Sequence, residues 1–550
     1  MRFYKEDYYM KNKQIIKVLS VLFAVTIPAG MLCVTANAAE YDPDTFVAGE
    51  APVQGDDNDL PSSYSSVEQG YVTDIKNQRY NDCWAYSTLA ALESKLLKEG
   101  YQTENMNETH INLWAMTRSD GNGWVRSYTG AGLVYTGSGY LTSWQGGVLM
   151  SDAGNITITS DSKGDDAATD LARYGVTDIR YLSGEDRATI KRAIYENGAA
   201  VAAYSHVTSY YKDRMTYYLP KSYSGSVNGH LVTAVGWDDN YPKENFSTPP
   251  EHDGAWLMKN SWGNNNALGG YFWLSYEDKY VFSAEKFVPV YTIEGIEEIT
   301  ERKKLIQNEI YGAICDFDYI EKNNLTFLNR FDFDRDFFVL DKVIFETRKK
   351  NAEYTIYLIP DENGAPTTDE AQWQELYRGK TDYAGYICAD IDNFEVNGSA
   401  SVGVKINSPD GISAIGSGEW LSVSGSPGSY FFRPQSKYGM SYIYEDGKMT
   451  DVMQWFKDTF NNDLGGTLVI KALTVTPETG DVNLDGKIDI RDVTLIQNAA
   501  IGLVRLTDLQ NDMSDVNGDG RVSILDVTCA QKYLAQYAQG TGRTGEPLSA

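Results

Sequence analysis

The stretch DVNLDGKIDIRD at 481–492 returns at 515–526 as DVNGDGRVSILD, and no other feature restricts the folding of this chain so tightly. Both copies carry oxygen-bearing side chains at loop positions 1, 3, 5, 9 and 12 and glycine at position 6. Short carboxylates, amides and hydroxyls at that spacing wrap a chain around Ca²⁺, with a main-chain carbonyl from position 7 and a sharp bend at the glycine. The expected ligands are Asp481, Asn483, Asp485, Asp489 and Asp492, then Asp515, Asn517, Asp519, Ser523 and Asp526. Lys487 and Arg521 contribute only their backbone oxygens. A solvated acidic loop explains one such stretch; two in register call for two calcium ions. Behind each loop a helix is predicted, with Val493, Ile496 and Ala500, or Val527, Ala530 and Leu534, on one face. Cys529 takes the register of Leu495, so it is expected to pack. No helical pattern precedes the first loop.

A chain of 550 residues is too long for one core, and two to four domains are expected. Residues 1–38 read as a signal peptide: Lys11, Lys13 and Lys17 precede an apolar run from Val18 to Val34, and Ala36-Asn37-Ala38 fits a cleavage site. The residue next to Cys33 is Leu32, not the small one a lipid anchor needs. No later run is long enough to span a bilayer. Residues 39–58 are acidic and rich in Pro and Gly, an acidic linker or short pro-segment. Helical and strand-like runs alternate over 59–290. From 300 to 475, stretches such as KVIFETR and EYTIYLIP predict an all-β sandwich. A linker at 476–480, the calcium module at 481–540 and a polar tail at 541–550 complete the chain.

The formal charge of −28 excludes nucleic acid and anionic membrane as partners. Four of the five cysteines follow the signal segment, scattered and without a disulfide framework. Cys315 and Cys388 fall in the same β-rich segment and either pair or, as the reading preferred here, stay free and packed.

Cys83 lies in NQRYNDCWAYSTLAALES, where Leu89, Leu92 and Leu96 recur on one helical face and Gly100 closes the run. Asp82 is the expected N-cap. Free cysteine usually acts as a small apolar filler, but a thiol in the first turn of a helix meets the positive end of its dipole, which favours thiolate. Among the chain's four histidines, His230 stands out: NGHLVTAVGW places it just after a glycine, at the start of an apolar strand. A second apolar strand runs through GAWLMKN into Asn260-Ser261-Trp262-Gly263.

KNQ…CWAYS, GHLVTAVGW and WLMKNSWG share the order and rough spacing of the motifs of papain-like cysteine peptidases, which the chain resembles. The resemblance implies a two-lobed fold, one helical lobe and one β lobe, within a multidomain α+β chain. It implies that Cys83 is the nucleophile, that His230 is base and then acid, and that Asn260 orients the imidazole. Gln78 would join the backbone N–H of Cys83 in an oxyanion hole. Trp262 would shield the Asn–His hydrogen bond, although an ordinary core tryptophan fits the same place. Two departures matter. The loop RYND between Gln78 and Cys83 is one residue shorter than usual and lacks glycine, and a carboxylate at Asp82 opposes thiolate unless it caps the helix. The aromatic run YYKDRMTYYLP at 210–220 reads as a cleft rim or as a hairpin.

The β-rich segment resembles the lectin-like domain appended to some bacterial peptidases. Sugar binding does not follow from that; the aromatics of GSYFFRP at 428–434 suit sugar stacking or a sandwich core. The repeat resembles a type I dockerin, which implies two Ca²⁺ ions and a cohesin-bearing scaffold, as in cellulosomes, as partner. By that resemblance Ile490, Arg491, Ile524 and Leu525 would face the cohesin. The leading expectation is a secreted cysteine endopeptidase acting on protein or peptide and held at the cell surface or outside the cell. The rivals are a degenerate peptidase that binds peptide or blocks another protease, and a carbohydrate-targeting scaffold component.

Overall fold

The computed structural model describes residues 59–283, 290–312, 315–316, 325–333, 338–407, 415–418, 423–425, 428–433, 436–460 and 466–538. The expected signal peptide (1–38), acidic linker (39–58) and tail (541–550) lie outside the described residues.

Three helices, α1 (Cys83–Lys98), α2 (Glu108–Trp114) and α3 (Val134–Thr142), build the first lobe. Helix α1 buries Leu89, Leu92 and Leu96 against Trp114, Tyr140 and Leu141. It stops where expected: Gly100, at φ +86°, lets the Gly100 and Tyr101 N–H groups return to the Leu97 and Leu96 carbonyls. The second lobe is antiparallel sheet. Strand β1 (Tyr174–Tyr181) and helix α4 (Arg187–Asn197) lead into β2 (Ala200–His206), β3 (Asn228–Asp238), β4 (Ala255–Lys259) and β5 (Tyr271–Ser275). Strand β3 pairs with β2 on one side and β4 on the other, and its apolar run is buried, as a central strand requires. The aromatic run at 210–220 is mainly a hairpin, Tyr211–Lys212 against Thr216–Tyr217, with Tyr217 in the lobe's core beside Tyr204 and Phe272.

The β-rich segment begins with β6 (Tyr291–Glu298) and β7 (Lys303–Gln307). It continues through β8 (Leu325–Phe333), β9 (Val339–Thr347), β10 (Glu353–Glu362), β11 (Gly385–Glu395), β12 (Gly398–Asn407), β13 (Ser441–Glu445) and β14 (Ile470–Val475). Strands β10, β12, β8 and β13 form one layer. Strands β7, β14, β9 and β11 form the other, and Phe327, Val402 and Val404 meet Val343, Phe345 and Ala389 between them.

The sandwich expectation is thus met, and one of its sheets is continuous with that of the preceding domain. Strand β11 pairs with β1 through Gly385↔Arg180 and Tyr386↔Ile179, and β6 joins β1 to β2. One thirteen-stranded sheet, counted among the described residues, therefore runs from β7 to the hairpin at 211–217. The strand at 428–433 also reaches across, pairing with Gly123–Val125 of the first lobe; its side chains lie outside the described residues. Cys388 is a free thiol packed against the core, as expected, while the side chain of Cys315 lies outside the described residues.

After β14 come α5 (Ile490–Ala500), α6 (Asp508–Ser514) and α7 (Ile524–Ala538). Val482, Val493, Ile496, Val516, Val527 and Ala530 form their core, with Leu495 and Cys529 packed on it. A strand and a turn, not a helix, precede the first loop, as its sequence indicates.

Candidate active site

Cys83 is the first residue of α1, among main-chain N–H groups that have no partner within the helix. The N–H groups of Leu231, Trp84 and Cys83 itself act on the sulfur and favour thiolate. Leu231 directly follows His230, so the start of α1 and the start of β3 meet at the thiol. His230 is 7 % exposed, and its Nε2 donates to Asn260 Oδ1 at 3.0 Å. That hydrogen bond fixes the tautomer and leaves Nδ1 as the basic nitrogen. Trp262 stacks on the imidazole, with centroids 4.6 Å apart and planes 17° apart. It therefore covers the Asn–His pair. Tyr204 meets the ring edge-on, and His206 and Tyr211 lie against Trp262.

The loop carrying Gln78 is bound to the strand end carrying Asn260. Gln78 N donates to Ser261 O at 2.7 Å, Gly263 N donates to Lys76 O at 3.0 Å, and Asn77 bridges Trp262. Ser261 Oγ donates to Gln78 Oε1 at 2.6 Å, and Gln78 Nε2 donates to Tyr80 O at 2.8 Å. A carboxamide has two N–H donors, so the short loop occupies one and leaves the other. Beneath this platform Lys76 pairs with Glu93 at 2.9 Å and with Glu108, joining the loop to α1 and α2. Lys259, next to Asn260, donates to the carbonyl and hydroxyl of Thr73. Ser261, Lys76, Lys259 and His206 escaped the sequence reading, although two of them flank Asn260 and one lies two residues before Gln78.

Burial pushes the Cys83 thiol up to about 11 and the His230 imidazole down to about 4. Both shifts favour the neutral forms, and the helix N-terminus opposes the one at Cys83.

The capping role expected for Asp82 is corrected. It occupies the N-cap position of α1 without a side-chain capping bond. Its Oδ2 instead accepts from Asn112 Nδ2 at 3.2 Å, and the Asp82 charge raises the thiol's pKa. In this buried position, pairing with Asn112 and Arg126 replaces capping. Asp82→Asn retains an acceptor for Asn112 and removes the charge. It is expected to lower the pH at which iodoacetamide alkylates Cys83, measured as alkylation rate against pH.

The two acidic loops are folded but differ in setting. In the first, Asp492 is fully buried and accepts from the N–H groups of Val482, Asn483 and Asp489 at 2.8, 3.0 and 2.8 Å. Asp481 is also fully buried; Oδ2 accepts from Gly486 N at 3.1 Å, while Oδ1 has no partner. In the second, Asp526 accepts from Asn517 and Ser523, and Asp515 from Asp519 and Gly520. Among the described residues no three His, Cys, Asp or Glu side chains gather as a ready metal cluster. The donor sets are instead mixed, and a buried carboxylate oxygen without a partner fits a calcium ion. Ile490, Ile524 and Leu525 are exposed, as a partner face requires. Arg491 is exposed as well, and its guanidinium also pairs with Asp485 at 2.6 Å and Asp489 at 2.7 Å of its own loop.

A thiol at a helix start and an imidazole oriented by a carboxamide are the kinds of group that a thiol hydrolase uses. The family model for the papain family cysteine protease matches residues 60–290, that for the lectin-like domain 305–474, and that for the dockerin type I domain 479–535. Procathepsin L of Felis catus is 29% identical over 217 residues, which are 39% of this chain and 60% of the relative. Cathepsin L2 of Homo sapiens is 26% identical over 218 residues, again 39% of this chain and 60% of the relative. The chain thus spans less than two thirds of the length of these curated relatives. The structure of clostridial cysteine protease Cwp84 after propeptide cleavage is 31% identical, with a TM-score of 0.65, covering 76% of this chain and all of that one. A second structure holds the cysteine protease and lectin-like domains of Cwp84, a surface layer associated protein of Clostridium difficile. It is 30% identical, with a TM-score of 0.65, and covers 78% of this chain and 90% of that one. The chain belongs to the papain family of cysteine proteases, with a lectin-like domain and a type I dockerin after the protease domain.

Proposed function

We propose that this protein is a secreted cysteine endopeptidase whose dockerin attaches it to a cohesin-bearing scaffold, such as that of a cellulosome, outside the cell or at its surface. One observation carries the peptidase reading: His230 Nε2 is held by Asn260 under Trp262, while Cys83 begins a helix beside Leu231. Nδ1 of His230 takes the Cys83 proton as sulfur attacks the scissile carbonyl. The oxyanion meets the N–H of Cys83 and the remaining N–H of Gln78; removing such a donor costs about 3 kcal/mol of transition-state stabilisation. The imidazolium returns the proton to the leaving amine, which leaves a thioester on Cys83. Water, activated by the same nitrogen, then hydrolyses the thioester and restores the thiol.

In the dockerin, Asp481, Asn483, Asp485, Asp489 and Asp492, with the Lys487 carbonyl, would hold one calcium ion. Asp515, Asn517, Asp519, Ser523 and Asp526, with the Arg521 carbonyl, would hold the second. Calcium supplies the positive charge that lets these carboxylates converge. Ile490, Ile524 and Leu525 form the apolar part of the face offered to cohesin, and the lectin-like domain is a candidate carbohydrate contact. No helix among the described residues is long and apolar enough to cross a membrane.

The rival reading, a degenerate peptidase that binds peptide, draws on the Asp82 charge beside the thiol and on the Gln78 amide committed to Tyr80. Labelling with a thiol-directed epoxide separates the two. The wild type is expected to take one equivalent at Cys83 and Cys83→Ala none, read by intact mass. An unlabelled wild type would favour the binding module.

A further inference from the structure

The first calcium loop is seated on the body of the protein. Strand β14 ends at Val475, and the chain turns so that Thr476 N donates to Arg302 O at 2.8 Å. The Arg302 side chain then reaches into the loop. Its Nη1 lies 3.1 Å from Glu478 Oε1 and 3.5 Å from Asp481 Oδ2, and its Nη2 donates to Gly486 O. Beyond it, Lys487 pairs with Glu298 at 3.0 Å. Gly486, at φ +81°, lies so close to Lys303 that a Cβ there would sit 2.9 Å from its Cε. These contacts join the loop and the linker before it to the end of β6, the β6–β7 turn and β7 itself, a strand at the outer edge of the thirteen-stranded sheet.

Asp481 has two differently placed oxygens. Oδ2 faces Arg302 and the Gly486 N–H, while Oδ1 is buried with no partner. A guanidinium and a metal ion can share one carboxylate in this way, each meeting a different oxygen.

We propose that the first calcium loop is an interdomain joint: Arg302 and the bound cation share Asp481, so that filling this loop locks the C-terminal module onto the body. This rests on the calcium reading of the loops. Calcium orders Asp481 and the Gly486–Lys487 main chain, which form the module's half of the joint. By linkage, an ion that favours the docked arrangement is itself favoured by docking. Among the described residues the second loop makes no comparable contact with the body in its hydrogen bonds or ion pairs, so the two sites differ in consequence despite their matching sequences.

Hydrogen–deuterium exchange on the full chain, with calcium or with chelator, tests the joint. In the wild type, calcium is expected to slow exchange at 481–492 and 515–526 and also, by about tenfold, at 298–307 in the body. In Arg302→Ala, calcium should still protect both loops but no longer protect 298–307, with Arg302→Lys in between. Asp526→Ala, which disables only the second loop, should leave the effect at 298–307 intact. An unchanged melting temperature of the protease body would show that Arg302→Ala is folded. Protection of the loops without protection of 298–307 in the wild type would overturn the joint, as would Arg302→Ala behaving like the wild type. If calcium protected neither loop, the calcium reading itself would fail.

Discussion

Replacing His230 by alanine is expected to lower kcat/KM by about 10³-fold or more, with no change in circular dichroism. The imidazole is asked both to take the thiol proton and to return it to the leaving group, and among the described residues no second base is seen to be positioned for this. His206 lies edge-on against Trp262, while His230 stacks on it. The loss should appear mainly in kcat, because the ring contributes to the transition state more than to substrate binding. Combined with Cys83→Ala it should cost little more than either change alone, since the two residues act as a unit. The wild-type pH profile offers a companion check. Burial draws the His230 imidazole down to about 4, and protonation removes the base. Activity should therefore fall as pH drops through about 4, and a steady-state profile on a peptide substrate would locate that limb.

Asp492→Ala is expected to abolish calcium binding in the first loop. The Asp492 carboxylate accepts three main-chain N–H groups from within the loop and is completely buried. Alanine leaves those donors unpaired and removes a metal ligand. The penalty is about 3 kcal/mol or more, which corresponds to at least about 100-fold in calcium affinity. Titration calorimetry should count one ion in place of two. Chelating both ions should unfold the module, because its core is small and its acidic loops repel themselves without a cation. A module that kept its melting transition in excess chelator would contradict this.

The residues of the proposed sites could be picked out of the sequence because each is coded locally. Cys83 is marked by the helix it begins, His230 and Asn260 by the apolar strands beside them, and the calcium loops by fixed spacing over a few residues. The direction of the Asp82 side chain was not legible, because it is decided by Asn112 and Arg126, which arrive from elsewhere in the first lobe. The shared sheet was hidden for a similar reason. The pairing of Gly385 with Arg180 joins segments that carry no trace of one another, and each reads as an ordinary strand. Arg302 likewise carries no local signal, and only the fold brings the first loop to it.

The continuity of that sheet also bears on how the protein can be divided. Ending the chain near residue 300 would remove β11 and bare the main-chain donors and acceptors of β1 that it satisfies, leaving an open template for another strand. A protease fragment cut there would be prone to stick to its own copies, whereas a fragment running through β14 keeps that edge covered. The sensible unit for expression and crystallisation is therefore set by hydrogen-bond closure, well beyond the last residue that takes part in catalysis.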